Sequence, residues 1–166
     1  MKSMKWQRRA NIERLFLEAE RYEGKGDFKA AFDRLLAAAQ KGHAMSQLNL
    51  GNFYASGRGT RRSLDRAIHW YRRAYQNGYN DGAFNLAIER KKEGNVRAAV
   101  LWFKKAAAMN CGEAYVELAK IYKARRGSDK IAHNLLKEAL RMRRDQISED
   151  AREQAESMLN DDRHLA

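Results

Sequence analysis

The sequence contains no proline and only one cysteine, and both shortages narrow the kinds of protein it can be. Proline interrupts helices and is common in loops, so a chain without it suits helices joined by short turns. Cys111 cannot form a disulfide within the chain, so nothing in the sequence requires an oxidising compartment.

Long apolar runs are missing as well. No stretch approaches the roughly 18 uncharged apolar residues that a membrane-spanning helix needs. The basic N-terminus is not followed by the apolar segment of a signal peptide, because Glu13, Arg14 and Glu18 interrupt residues 12–19. We therefore expect a cytoplasmic protein without a membrane span.

Groups with a catalytic or metal-binding spacing are also lacking. The four histidines are His43, His69, His133 and His164. None of them pairs with another histidine or with Cys111 at metal-ligand spacing, so we interpret them as structural or surface residues. Cys111 would need a base held nearby to act as a nucleophile, and we interpret it as a semi-buried thiol. The sequence therefore predicts no enzyme, no catalytic residue, no metal and no cofactor.

What the chain has in excess is positive charge, which is unevenly spread. The net charge is +12 and the pI is about 10. Residues 58–73 hold six arginines against Asp65, and residues 120–144 hold nine basic groups against two acids. Residues 145–166 reverse the sign, with seven acids against two arginines. Such a basic body attracts polyanions: nucleic acid, an anionic membrane surface or an acidic protein.

The chain also repeats itself. Four times, a residue type that favours the N-terminus of a helix is followed four positions later by alanine: Asp27–Ala31, Ser63–Ala67, Asn95–Ala99 and Ser128–Ala132. The spacings between these predicted caps are 36, 32 and 33 residues. A period of this length is typical of stacked helical hairpins.

Each predicted cap begins the same apolar pattern, in which a large residue lies between two alanines. The four triplets are Ala31-Leu35-Ala38, Ala67-Tyr71-Ala74, Ala99-Phe103-Ala106 and Ala132-Leu136-Ala139. Positions i, i+4 and i+7 share one face of a helix, so each triplet predicts a buried face. Gly42, Gly78 and Asn110 should end the first three of these helices in a left-handed conformation, whereas the fourth helix has Arg143 at this position.

A second helix precedes each cap, with a large residue directly before a small one: Leu50-Gly51, Leu86-Ala87 and Leu118-Ala119. The predicted fold is therefore all-α, a right-handed α-α superhelical solenoid of about four helix–turn–helix repeats plus a C-terminal capping helix. We predict a single domain over residues 1–166, with repeats at about 7–43, 44–79, 80–111 and 112–143. The capping helix is predicted at about 148–160.

The second repeat has Leu50-Gly51, Tyr54, the loop Gly57-Arg58-Gly59, the run Ala67-x-x-Trp70-Tyr71 and a closing Gly78. With these residues it resembles a Sel1-like repeat, a relative of the tetratricopeptide repeats. The third repeat keeps Trp102-Phe103-Lys104-Lys105-Ala106-Ala107 but has only Gly94-Asn95 in place of the loop, and the fourth has Leu135 in place of the tryptophan. The resemblance covers about residues 28–140. It implies a curved solenoid whose concave face binds proteins, without catalysis.

The resemblance also divides the remaining residues between structural and binding roles. The glycine loop is interpreted as a tight turn between helices rather than a phosphate cradle, because the strand–helix context of phosphate-binding loops is absent. Trp70 and Trp102 are predicted to lie in the core, whereas Trp6 lies outside the repeat pattern.

Two surfaces are candidates for a partner. On the first helices, which should line the concave side, the candidates are Gln47, Asn52, Phe53, Ile88, Glu89, Lys120 and Ile121, although the apolar ones could equally belong to the core. On the second helices we predict a basic ridge formed by Arg61, Arg62, Arg66, Arg72, Arg73, Lys104 and Lys105. Exposed apolar residues in a groove would suit an interaction hot spot, and a basic ridge would suit an anionic partner.

The predicted function is a protein–protein interaction module, either an adaptor or a scaffold, whose partner is an acidic protein. One alternative is an immunity protein that neutralises a cognate toxin. Another is a basic nucleic-acid-binding protein, which the charge supports but for which no recognition motif is present.

Overall fold

The structure is a computed structural model that describes residues 2–125 and 127–163. Within these ranges the chain forms nine α-helices and no strand. The chain divides into two compact units, Met1–Gly82 and Ala83–Ala166. The single domain predicted from the sequence stays a prediction.

The helices lie where the repeat pattern predicts them. They are α1 (Lys2–Gly24), α2 (Phe28–Gln40), α3 (Ala44–Ser56), α4 (Leu64–Gln76), α5 (Asn80–Lys92), α6 (Val96–Ala107), α7 (Gly112–Lys123), α8 (Asp129–Arg141) and α9 (Glu149–Arg163). The second helix of each repeat begins directly after Asp27, Ser63, Asn95 or Ser128.

In the first unit, α1 packs on α2, α2 on α3, and α3 on α4. The predicted triplets of α2 and α4 are buried, and Ala31, Ala67 and Ala74 have no exposed surface. Small residues allow neighbouring helices to approach closely, and the large residue between them fills the interface.

The contact between Gly51 and Tyr71 shows how close α3 and α4 come. A Cβ atom at Gly51 would lie 2.5 Å from the Tyr71 ring, so only glycine fits beside this tyrosine without movement. The Tyr71 hydroxyl donates a 2.8 Å hydrogen bond to Asn52 Oδ1. The ring therefore anchors α4 to α3 through both packing and a polar contact.

In the second unit, α6 packs on α7, α7 on α8, and α9 on both α7 and α8. The helix α9 contributes Ala151, Ala155 and Leu159 to a buried cluster that contains Ala132 and Leu136 of α8. The segment before α9 is also fixed, because the Gly112 N–H donates a 2.7 Å hydrogen bond to the Gln146 carbonyl. The helix α9 thus covers the apolar faces of α7 and α8, as predicted for a capping helix.

The predicted helix ends are confirmed more fully than the predicted helix starts. Gly42, Gly78 and Asn110 all have positive φ angles, of 91°, 87° and 62°, as a left-handed stop requires. At the starts, Asp27 and Asn95 each accept a 3.0 Å hydrogen bond from the N–H three residues later.

Ser63 and Ser128 occupy the N-cap position but make no such bond, so the prediction of a capping side chain is wrong for both. The backbone of Ser128 has φ −109° and ψ 10°, whereas an N-cap residue normally adopts the extended region. Ser63 is extended, and nothing in the structure explains why its hydroxyl leaves the helix start uncapped.

Candidate functional site

The predicted groove residues of α3 lie largely inside the first unit. Gln47 and Phe53 are 0 % and 1 % exposed. The Gln47 amide donates to the Ala39 carbonyl at 3.0 Å and accepts from Asn77 Nδ2 at 2.7 Å, so both of its ends are used within the fold. The prediction of Gln47 and Phe53 as partner-binding residues is therefore wrong, because a buried side chain cannot reach a partner.

The reason is their spacing from the buried Leu50. Gln47 precedes Leu50 by three positions and Phe53 follows it by three, which places all three on one helix face. The helix α3 packs on α2 as well as on α4, so its buried face is broad. The same spacing relates Glu89 to Leu86 and Ile121 to Leu118, and Glu89 and Ile121 are 7 % and 9 % exposed. This burial contradicts the predicted exposure of Glu89, whereas Ile121 still lines a groove of the second unit.

The other groove candidates are half-buried and have partners within the chain. Asn52 accepts the hydrogen bond from Tyr71, and Lys120 donates 2.7 Å hydrogen bonds to Glu117 and Gln154. Ile88 is half-buried on α5. Of the seven predicted groove residues, these three are half-buried and the other four are buried.

The two repeat tryptophans do not lie in the core. Trp70 and Trp102 are half-buried, whereas their neighbours Tyr71 and Phe103 are buried. Each tryptophan follows the first alanine of its triplet by three positions rather than four, which places it at the edge of the buried face. In the second unit the Lys105 ammonium lies 3.9 Å from the centre of the Trp102 ring, in a cation–π contact.

The glycine loop of the second repeat is a packing turn. Gly57 and Gly59 have φ angles of 77° and 64°, and a Cβ atom at Gly59 would lie 2.0 Å from the Phe28 carbonyl oxygen. Between the glycines, Arg58 forms a 2.7 Å ion pair with Glu23 and lies over the Phe53 ring. The loop thus lies against the start of α2, and Arg58 is engaged within the fold.

Unlike Arg58, the arginines that follow this loop form no ion pair within the described residues. We call Arg61, Arg62, Arg66, Arg72 and Arg73 the α4 arginine surface. All five are exposed, and no carboxylate of the described residues lies within ion-pair distance of any of them. The first-unit part of the predicted basic ridge is therefore accessible and uncompensated.

Three of these arginines line an open cleft of about 340 Å³ together with Ser63. The Nε atom of Arg62 donates a 3.1 Å hydrogen bond to the Ala55 carbonyl, and the Arg66 guanidinium lies 5.5 Å from the centre of the Tyr54 ring. These contacts position two of the three guanidinium groups in the cleft. The cleft is therefore a cationic site whose side chains are partly held before any ligand arrives.

The second-unit part of the predicted ridge consists of Lys104 and Lys105. Lys104 is exposed, and Lys105 is half-buried against Trp102. That the ridge continues across repeats, from the arginines of α4 to these lysines, stays a prediction.

The second unit contains a groove whose lining includes two of the predicted groove residues, Lys120 and Ile121. It has a volume of about 290 Å³ and is lined by Lys91, Val96, Lys120, Ile121, Ala124 and Arg125. Unlike the arginine cleft, this groove has neutralised lysines, because Lys91 and Lys120 each lie 2.7 Å from a carboxylate oxygen of Glu117.

Burial raises the pKa of Glu117, but the hydrogen bonds and charges of Lys120 and Lys91 outweigh this effect and lower its pKa below the ordinary value of 4.5. Glu117 is therefore ionised when the two lysines are charged.

Within the described ranges there is no group of three or more His, Cys, Asp or Glu residues that could hold a metal ion. Cys111 is buried, and its thiol lies 3.5 Å from Glu113 Oε2. Across the same residues, none of the helices combines the length and apolar character needed to cross a membrane.

Solved structures with the same arrangement of helices define the fold. A Sel1 repeat protein from Oxalobacter formigenes matches with a TM-score of 0.64 and 21 % identity, over 75 % of this chain and 53 % of that one. The uropathogenic Escherichia coli protein c5321, a protective antigen with an SLR fold, matches with a TM-score of 0.69 and 24 % identity, over 77 % and 30 %. MamA matches with a TM-score of 0.59 and 22 % identity, over 78 % and 77 %. The all-α helical repeat class predicted from the sequence is thereby confirmed.

The present chain spans about half the length of the first of these proteins and under a third of the second. A comparison with curated protein sequences finds no match.

The repeats themselves can be assigned to a family. The Sel1 repeat model matches residues 44–79 and residues 81–111. The chain thus carries two Sel1 repeats, and the resemblance drawn from the loop and the Trp-Tyr run of the second repeat is confirmed. Sel1 repeats generally mediate protein–protein interactions.

Proposed function

We propose that this protein is a protein-interaction module whose α4 arginine surface docks an acidic region of a partner protein. The Sel1 repeats support the general role, and the five exposed arginines without an ion-pair partner support the acidic nature of the partner. The uncompensated charge of this surface is the observation on which the proposal depends.

Two other arginines of the first unit are already paired with acids. In the first unit, Arg34 lies 2.9 Å from Glu18, and Arg58 lies 2.7 Å from Glu23. An arginine that is already paired loses a favourable contact when it turns to a partner, whereas an unpaired arginine does not. Arginine also suits interfaces, because its planar group forms two parallel hydrogen bonds with a carboxylate.

The same charge would attract nucleic acid, but the aromatic groups of α4 do not favour this ligand. Proteins that bind single strands present exposed aromatic rings on which bases stack. On α4, Tyr71 is buried and Trp70 is half-buried. An immunity protein that neutralises an acidic toxin remains one member of the proposed class, and the identity of the partner distinguishes it from an adaptor.

The proposal can be tested by affinity capture from nuclease-treated lysate of the native organism, followed by mass spectrometry. The variant Arg72→Glu/Arg73→Glu reverses two charges of the α4 arginine surface. The variant Lys130→Glu/Lys137→Glu makes the same change in net charge at two exposed lysines of α8 and serves as the matched control. We expect an acidic protein to be captured in stoichiometric amounts by the unmodified protein and the control, and to be lost with the arginine variant.

Two results would contradict the proposal. Equal loss of the partner with both variants would show that net charge, and not this surface, attracts it. Recovery of nucleic acid without nuclease, together with loss of all bound protein after nuclease treatment, would favour the nucleic-acid alternative.

For a purified complex, the dissociation constant should rise with salt concentration, because charge pairs at the edge of an interface are screened.

A further inference from the structure

The side chains that line the cleft at the start of α4 point to a more specific ligand than an acidic protein region in general. Arg61, Arg62 and Arg66 line it together with Ser63, and no carboxylate group lines it. Asp65 is the nearest acid in the sequence, and it forms no ion pair with these arginines. Three positive charges therefore share one open cavity of about 340 Å³ without compensation.

Two of the arginines are held in a way that leaves their terminal nitrogens available. The hydrogen bond from Arg62 to the Ala55 carbonyl uses only Nε. The Arg66 guanidinium is supported by the Tyr54 ring and makes no hydrogen bond within the described part of the chain. Side chains that are fixed before binding lose less conformational entropy when a ligand arrives.

Ser63 adds an uncharged donor to the cleft. Its hydroxyl does not cap α4, so it can donate a hydrogen bond to a ligand oxygen. The cleft adjoins the first turn of α4, where the helix dipole adds to the positive potential of the arginines.

Charge and geometry select the class of ligand. A single carboxylate carries one negative charge and is satisfied by one bidentate arginine. A phosphate monoester carries a charge of about −1.5 to −2 at neutral pH and offers three strong acceptor oxygens. We propose that this cleft binds the phosphate group of a phosphorylated side chain on the partner protein. The source of the phosphate rests on the proposed function, whereas the anion site itself rests only on the cleft.

The test is a titration of the full chain followed by the NMR signals of its backbone amides and arginine Nε–H groups. The probes are inorganic phosphate, a peptide library of fixed acidic composition with one phosphoserine, and the same library with serine. We expect inorganic phosphate to shift the Nε–H signals of Arg61, Arg62 and Arg66, and the phosphoserine library to bind about tenfold more tightly than the serine library, as one additional charged hydrogen bond of about 1.4 kcal/mol would give.

The variants are chosen to separate this cleft from the general charge of the surface. The double variant Arg61→Gln/Arg66→Gln should lose the preference for phosphoserine. The variant Arg72→Gln/Arg73→Gln removes the same charge outside the cleft and should keep that preference. Circular dichroism and the unchanged NMR signals of α1 and α2 establish that both variants are folded.

Each contrary outcome has a distinct meaning. If neither inorganic phosphate nor the phosphoserine library shifts the three arginine signals, the anion site is wrong. If the serine and phosphoserine libraries bind equally, the phosphate proposal fails while the acidic partner stands. If inorganic phosphate binds but phosphoserine peptides do not, the phosphorylated partner is excluded. If both arginine variants lose the preference equally, the effect belongs to the whole surface and the cleft proposal is overturned.

Discussion

The α3–α4 and α7–α8 hairpins share one core pattern but differ in how their basic residues are paired. In α7–α8, Glu117 of α7 lies 2.7 Å from both Lys120 of the same helix and Lys91 of α5, so it neutralises these two lysines. In α3–α4, the five arginines of the α4 arginine surface have no carboxylate within ion-pair distance among the described residues. A shared fold therefore does not imply a shared surface, and the uncompensated hairpin is the better candidate for binding.

The cores of the two hairpins differ in a compensating way. The α3–α4 hairpin combines a glycine with a large ring, Gly51 with Tyr71, whereas the α7–α8 hairpin has Ala119 and Leu136 at the same repeat positions. The pattern thus conserves the space between the helices rather than the individual residues.

The largest expected effect concerns the glycine loop that only the α3–α4 hairpin has. The substitution Gly59→Ala places a Cβ atom 2.0 Å from a backbone oxygen of Phe28, at a φ of 64°. We expect a loss of about 3 kcal/mol in the free energy of unfolding, since clash and left-handed strain add. Urea unfolding at 25 °C measures it.

The control for this prediction lies in the α7–α8 connection. Gly127 has a φ of 75°, and a Cβ atom there would meet nothing within 4 Å. The substitution Gly127→Ala should therefore lose only the conformational part, about 1 kcal/mol. Equal losses of stability at both glycines would show that close packing of the glycine loop does not contribute to the free energy of unfolding.

The next largest effect on stability tests whether the small and large residues that face each other in a hairpin compensate for one another. The substitution Gly51→Ala should destabilise the protein by about 1–3 kcal/mol, because its Cβ atom would overlap the Tyr71 ring. The double variant Gly51→Ala/Tyr71→Leu imitates the α7–α8 pair. In it, the alanine should lower the free energy of unfolding little further than Tyr71→Leu does alone. A double-mutant cycle of unfolding free energies measures the coupling, and additive effects would refute the compensation.

The N-cap residues of the second helices give a smaller difference in the free energy of unfolding. The substitutions Asp27→Ala and Asn95→Ala each remove a 3.0 Å capping hydrogen bond and should lower the free energy of unfolding by about 1 kcal/mol. Both hairpins compared above begin their second helix with a serine that does not cap, so Ser63→Ala and Ser128→Ala should change stability by only a few tenths of a kcal/mol, as at ordinary surface positions. Thermal unfolding of the four variants ranks them, and a serine variant as destabilised as Asp27→Ala would contradict the structure.

The smallest effect is the pH dependence of the α7 charge cluster. Because the folded state lowers the pKa of Glu117, the stabilisation is present above the ordinary value of 4.5 and disappears as the pH falls through the lowered value. The variant Glu117→Gln should therefore be less stable than the unmodified protein at pH 7 by about 0.5 kcal/mol, since both lysines are partly exposed to water.

The free energy of unfolding, measured between pH 7 and pH 3, tests this direction of the pH dependence. The difference between the unmodified protein and Glu117→Gln should shrink at the acidic end. The matched control is Glu138→Gln, which removes an exposed ion pair with Arg141 on α8 and should have almost no effect at pH 7. A difference that grows on acidification would mean that Glu117 is not stabilised as a carboxylate.

Much of the fold could be predicted because the core pattern is local. The alanine triplets share one face of a single helix, so Ala67, Tyr71 and Ala74 could be assigned to the core from spacing alone. The groove residues could not be assigned in this way. Gln47 and Phe53 are buried because α3 contacts helices on two sides, and the width of a buried face depends on how many neighbours a helix has.

The candidate site was partly visible in advance. The run of arginines after residue 60 showed where positive charge concentrates, but not that Arg58 would be used by Glu23 while Arg61 and Arg66 would stay uncompensated. Of the lining of the second-unit groove, only Lys120 and Ile121 were predicted from the sequence, because the wall combines residues from separate helices.

The sequence alone determined the helices, their stops and the residues of the central core, since these depend on side chains three or four positions apart and on glycine or asparagine at single sites. Only the tertiary structure decided which charges are neutralised. Glu117 meets Lys91 from 26 positions away, whereas the α4 arginine surface forms no ion pair with any acid in the part of the chain that the structure describes. Charge interactions depend on distance in space, and the packing of helices sets that distance.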